Sequence, residues 1–169
     1  MILSAHIITG AAVGVNFSNP WLVVLLIVIC HHLTDLLPHW DYGIKEIPLR
    51  KSFLKISADI LIGFILVAGT LMIFNEWEIP RNFSALFSGL NLNIMLGIFF
   101  SLLPDGLLFL SWIFPKKPLT FYAKYHSFLH TSLKLNYKQG ILPLLIYITA
   151  IVLLIWFFQT EVNFLKIFL

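Results

Sequence analysis

The apolar residues of this chain gather into long runs parted by short polar stretches, and the runs set the length scale of the fold. A bilayer core of about 30 Å needs roughly 20 mostly apolar residues per spanning helix. Four runs qualify or nearly do: Trp21 to Leu37, Phe53 to Phe74, Leu92 to Phe114 and Ile141 to Phe158. A further segment, Ile2 to Val15, is shorter and carries Ala5, Gly10, Ala11, Ala12 and Gly14. Small residues let helix backbones approach closely in lipid, which predicts that this segment packs inside the bundle. "NFSNP" then predicts a tight turn, with Pro20 at the first position of the next helix. Leu119 to Leu135 is amphipathic, which predicts a helix in the membrane interface or folded back into the bundle. The expected fold class is all-α: a polytopic transmembrane helix bundle with four to five spanning helices plus an amphipathic interfacial helix. It is expected to form a single membrane-embedded domain over residues 1–169.

Composition strengthens that picture. Hydrophobic residues make up 59% of the chain and charged residues 11%, against about 25% charged in an ordinary soluble domain. A chain of 169 residues leaves room for one compact bundle. Its single cysteine, Cys30, excludes an intrachain disulfide and reads as a small apolar packing residue. The first segment lacks a basic stretch ahead of it, so it is not read as a cleaved signal peptide. No basic tail or low-complexity segment points to a nucleic-acid partner.

Charge placement gives direction. Lys45, Arg50, Lys51 and Lys55 cluster after the second helix, and Lys116, Lys117, Lys124, Lys134 and Lys138 lie between the fourth helix and the last. The stretch from Asn75 to Asn91 holds only Arg81 against Glu76 and Glu78, and the tail holds Lys166 and Glu161. Basic loops stay on the cytoplasmic side, so the expected orientation is a multi-pass protein of a prokaryotic inner membrane with both basic loops in the cytoplasm. The N-terminus is then cytoplasmic too, if the first segment spans.

With that orientation drawn, all six histidines fall towards the cytoplasmic side. His6 begins the first segment, His31, His32 and His39 surround the end of the second helix, and His126 and His130 lie in the basic segment. The aspartates follow: Asp35 and Asp41 beside those histidines, Asp59 early in the third helix, and Asp105 in "SLLPDGLLF", where Pro104 and Gly106 predict a break or kink. An aspartate within a spanning helix costs about 2.5–3.5 kcal/mol on insertion scales, so it normally faces inward with a partner. No basic residue inside a helix is available to Asp59 or Asp105, which leaves histidines or a metal ion.

Spacing supplies geometry. His31 and Asp35 are four residues apart and His32 and Asp35 three, so each pair projects from one helix face, and His126 and His130 repeat the four-residue step. Two imidazoles one turn apart can close on one ion, although the H-E-x-x-H pattern itself is absent. Mixed His and Asp ligands suit Zn²⁺ best, with Mn²⁺ or Fe²⁺ as alternatives. The candidate ligands are His6, His31, Asp35, His39, Asp105, His126 and His130. Asp59, His39 and Asp41 are read as groups that orient ligands, and Asp35, Asp59 and Asp41 as candidate catalytic acids or bases. Ten His and Asp candidates exceed one ion's four ligands, so the site takes one ion with supporting groups, or two ions. The blander reading of "HHLTDLLPHWD" is a helix end at the headgroups, with Trp40 and Tyr42 as interface anchors.

The ordered motifs resemble a known family. A histidine in a Gly/Ala-rich first helix precedes H-x-x-x-D-x-x-P-H-x-D (His31, Asp35, Pro38, His39, Asp41), then L-L-P-D (Leu102 to Asp105) and H-x-x-x-H (His126, His130). This set is similar to the YdjM-like inner-membrane metal-dependent hydrolases, small prokaryotic membrane proteins. The chain departs from them at "KYHSFLHTS", where members often carry Arg or Gly near the histidine pair. The resemblance implies a metal site. The expected function is a membrane-embedded, zinc-dependent hydrolase with a cytoplasmic-facing site, membrane lipids as partners and a lipid or lipid-linked phosphoester as substrate. The rivals are a metal-clamped scaffold and a proton or divalent-ion transporter. A through-path is disfavoured by the apolar external halves "FILVAGTLMIF" and "LLIYITAIVLLIWFF".

Overall fold

The computed structural model describes residues 3–37, 39–40, 49–73, 92–129, 134–135 and 137–168, with the backbone alone described at 39–40, 49–52, 134, 137–138, 155–156 and 158–168. The described chain is all-α. Its helices are α1 (Leu3–Asn16), α2 (Pro20–Asp35), α3 (Leu49–Ile73), α4 (Leu92–Ile113), α5 (Lys117–Leu129) and α6 (Tyr137–Phe168).

α1 is the central element, packed against α4, α3, α6 and α2. Its length of 14 residues is apolar on nearly every side, the pattern of a helix enclosed by others. Ile7, Ile8 and Ala11 form the core with Val67 and Leu71 of α3 and Ile94 and Ile98 of α4. The α1–α4 contact is a backbone-to-backbone approach. A Cβ on Gly10 would overlap the Gly97 carbonyl, and a Cβ on Gly97 would overlap the Gly10 carbonyl. Larger side chains would force the two helices apart.

The α1–α2 turn is tied down by side chains. Asn93 of α4 donates from Nδ2 to the Phe17 and Ser18 carbonyls, both at 2.9 Å. Asn19 caps α2, its side chain accepting from the Trp21 and Leu22 amides, with Pro20 at the first helical position as the turn motif predicts. At the other end of the bundle, His39–Trp40 pairs with Lys134–Leu135 as a two-residue parallel bridge. That bridge joins the chain leaving α2 to the chain leaving α5.

The outward faces are apolar. Leu25, Ile29 and Leu33 of α2 and Leu61 and Ile65 of α3 are all exposed. Among the described residues two helices are long and apolar enough to cross a membrane, Phe53–Ile73 and Leu92–Ile113, fewer than the four to five expected. At 1.5 Å per residue, α1 and α2 extend only about 21 and 24 Å, because glycine-rich and polar residues occupy their ends. α6 is a continuous helix of 32 residues, whose side chains are described only in part beyond Leu154. Other boundaries shift modestly. The amphipathic helix occupies Lys117–Leu129, not Leu119 to Leu135, and α6 extends beyond Ile141 to Phe158 at both ends. α4 stays helical through Pro104, so the expected break is absent.

Candidate metal centre

Four helices deliver titratable side chains to one buried point. The last turns of α2 present His31 and Asp35 on the same face, as their spacing requires. α1 brings His6, α4 brings Asp105 and α5 brings His126, and all five residues are buried. On α5 the inward position falls to His126, while Phe121, Tyr125 and Phe128 stay exposed on another face.

Hydrogen bonds set the direction of two rings. His31 Nδ1 lies 2.8 Å from the Ser101 carbonyl of α4. A carbonyl only accepts, so Nδ1 carries the proton and, in the neutral ring, Nε2 carries a lone pair. Pro104 cannot donate to the Phe100 carbonyl, so this turn of α4 is short of one internal bond close to where Ser101 receives the histidine. Thr34 does the same for His6. Its hydroxyl donates to the His31 carbonyl at 2.7 Å, so it accepts from His6 Nδ1 at 3.0 Å. The His6 and His31 rings stack with centroids 4.3 Å apart. Both Nε2 lone pairs then face Asp35, at 3.3 Å from Oδ1 for His6 and 3.2 Å from Oδ2 for His31.

Either a proton on each ring nitrogen or a bound cation fills the space between such a pair. His31 Nε2, His126 Nε2 and Asp35 Oδ2 lie close to one another, and Asp105 Oδ1 approaches both histidines. The separations are 3.2 Å (His31–Asp35), 3.3 Å (His126–Asp35), 3.4 Å (His31–His126), 3.5 Å (His126–Asp105) and 3.9 Å (His31–Asp105). A tetrahedral ion with bonds of about 2.0–2.1 Å sets its ligand atoms about 3.3–3.4 Å apart, which the His31, His126 and Asp35 atoms match and the wider His31–Asp105 separation does not. The donor set fits in charge as well: two carboxylates and two neutral imidazoles balance one divalent cation. Protons on the rings bridge these pairs one at a time, whereas an ion satisfies several of the atoms together. Among the described residues neither Asp35 oxygen has a hydrogen-bond partner of good geometry, which suits a carboxylate whose lone pairs are directed at a metal. These residues can hold an ion; the metal's identity is not set by their arrangement.

The sites expected from sequence are sorted by this geometry. His6, His31, Asp35, Asp105 and His126 come together. His32 joins them: it lies within ligand reach in a cluster with His31, Asp35 and His126. Its three-residue step to Asp35 was the available signal, and its place beside His31 on the same helix obscured it. Asp59 goes elsewhere. It is buried, but its Oδ2 accepts from the Ser4 amide at 3.1 Å, at the start of α1, where a carboxylate satisfies an orphan amide and complements the helix dipole. None of the ligand clusters among the described residues contains it. The backbone of His39 lies in the bridge to Lys134, with its side chain outside the description, and Asp41 and His130 lie outside the described residues. Thr34 and the Ser101 carbonyl, which orient the histidines, had no distinguishing sequence signal. Tyr122 on α5 stacks obliquely near His126, ring centroids 5.9 Å apart. Burial first, then the Asp105 and Asp35 carboxylates, pushes its phenol well above the usual range, so it remains a neutral hydroxyl.

Compared with family models, curated proteins and solved structures, the chain matches none of them.

Proposed function

We propose that this protein is a membrane-embedded, metal-dependent hydrolase of a prokaryotic inner membrane, in line with its resemblance to the YdjM-like family, acting at the cytoplasmic interface on a lipid or lipid-linked phosphoester. One observation carries the reading: the His6 and His31 imidazoles, oriented by Thr34 and Ser101, meet the Asp35 carboxylate at ligand-to-ligand distances, with His126 beside it. His31, Asp35, Asp105 and His126 hold an ion, zinc being the best match to a tetrahedral His/carboxylate set and manganese or iron the alternatives. His6, facing the second oxygen of Asp35, offers room for a second ion. Bound there, a divalent cation supplies Lewis acidity and acidifies a water molecule. The apolar outer faces of α2 and α3 support burial in lipid, with α1 and α2 as shorter elements beside α3, α4 and the long α6.

The test is elemental mass spectrometry on purified protein. Near-stoichiometric zinc or manganese is expected in wild type and its loss in Asp35→Ala and His126→Ala. A wild type that takes up no metal even after loading removes the hydrolase reading. A metal-clamped scaffold is the second reading, favoured by the four protein groups His31, His32, Asp35 and His126 that lie within ligand reach of one another. Cobalt substitution separates the two. A tetrahedral spectrum unchanged by added small anions marks the clamp; a spectrum that responds to them marks an open position.

A further inference from the structure

A cleft of about 460 Å³ lies between α2 and α6 with α1 as its floor, within the roughly 300–1,000 Å³ typical of small-molecule sites. Its character changes along its length. His6, Thr34 and Asp35 line one end, at the metal centre. Leu142, Ile146 and Ala150 of α6 line the rest, with Leu37 and Pro143. The hydroxyl of Tyr147, the remaining polar group in the lining, is engaged with Thr9 Oγ1 at 2.6 Å, so it makes no polar demand on an occupant. The lining residues that border the outside are apolar: Leu142 is 64% exposed, Ile146 62% and Leu37 47%. A cleft opening through such residues opens towards lipid rather than water.

We propose that this cleft receives the hydrocarbon chain of a membrane lipid, entering sideways between α2 and α6, with its polar head at His6 and Asp35. The inference rests on the hydrolase reading and deepens it by seating its lipid substrate: a long alkyl chain, drawn sideways from the bilayer, in this cleft. The arrangement is amphiphilic in the same sense as its occupant. Its polar end carries the centre's His6 and Asp35, and its apolar part runs along α6 from Leu142 to Ala150, about 12 Å of helix. α6 begins near the bridge that joins α2 and α5, so the chain points from the polar end into the bundle's apolar length. A water-soluble substrate would have no use for such a lining.

The test is photo-crosslinking in vesicles of phosphatidylethanolamine and phosphatidylglycerol. The probe is a hexadecylphosphonate, whose C–P bond resists hydrolysis, with a diazirine at the chain end. In wild type, labelling is expected to concentrate on cleft residues such as Ala150 and Tyr147, with competition by hexadecylphosphonate and none by methylphosphonate. Ala150→Trp and Ile146→Trp fill the cleft at exposed positions that tolerate bulk. Each methylene displaced is worth about fourfold in affinity, so cleft labelling should fall about tenfold or more while labelling of the outward Leu61 and Ile65 stays constant. Labelling that follows bulk lipid exposure alone, unchanged in both variants, overturns the proposal. Metal content measured on the same samples keeps the two readings apart. Bound metal with no cleft labelling leaves the hydrolase standing without this substrate path; cleft labelling without metal leaves a lipid-binding cleft and removes the enzyme.

Discussion

Thr34 has one hydroxyl proton and gives it to the His31 carbonyl, which obliges it to accept from His6. That single side chain therefore decides where the lone pair of His6 points. Thr34→Val keeps the shape and removes the acceptor. Metal affinity is expected to fall about 10–100-fold, as for other groups that orient a ligand, and Thr34→Ser is expected to restore it; titration with a chelating competitor measures both. Equal affinity in the valine variant would place His6 outside the site. Asp59 makes the opposite prediction. Its carboxylate serves the first turn of α1, so Asp59→Asn should lower thermal stability in detergent by the equivalent of about 1 kcal/mol while leaving metal content unchanged. Loss of metal in that variant would return Asp59 to the ligand set. From sequence, the depth of Asp59 was legible and its partner was not, because an amide at a helix start leaves no mark in residue type.

At the scale of helices, the small residues of α1 were readable as a packing signal, and the structure gives them a partner in α4. Gly10 and Gly97 meet backbone to backbone. Gly97→Val puts side-chain atoms where the Gly10 carbonyl lies, and a main-chain carbonyl cannot rotate away. A loss of roughly 1–3 kcal/mol is expected from overpacking of this kind, read as a lower unfolding midpoint, with metal release accompanying it because α4 carries Asp105. Unchanged stability would mean that α1 and α4 are farther apart. Helix lengths were less legible. The run Trp21 to Leu37 counts as a span by hydropathy, yet α2 ends at Asp35, since its last turns serve the cluster rather than the lipid.

For the molecule as a whole, the exposed apolar faces and the basic segments predict which ends lie on which side. In a Cys30→Ala background, Ser18→Cys at the α1–α2 turn should be modified by a membrane-impermeant maleimide from outside cells. Lys117→Cys at the start of α5 should react only after the membrane is opened. The reverse pattern inverts the orientation and moves the metal centre away from the cytoplasm. The sequence by itself determined the helical class, the apolar runs and the His and Asp spacings within them. It also determined that His31 and Asp35 share a face, because all of these follow from composition and from the local geometry of one helix. Only the tertiary structure decided which candidates meet. His31 reaches Ser101 across 70 residues of chain and His126 across 95, and those approaches depend on how α2, α4 and α5 cross. Crossing is set by close packing along whole helices, at Gly10 and Gly97 among other places, and by which carbonyls and hydroxyls remain free to turn a ring. Residue spacing within one helix carries no record of either.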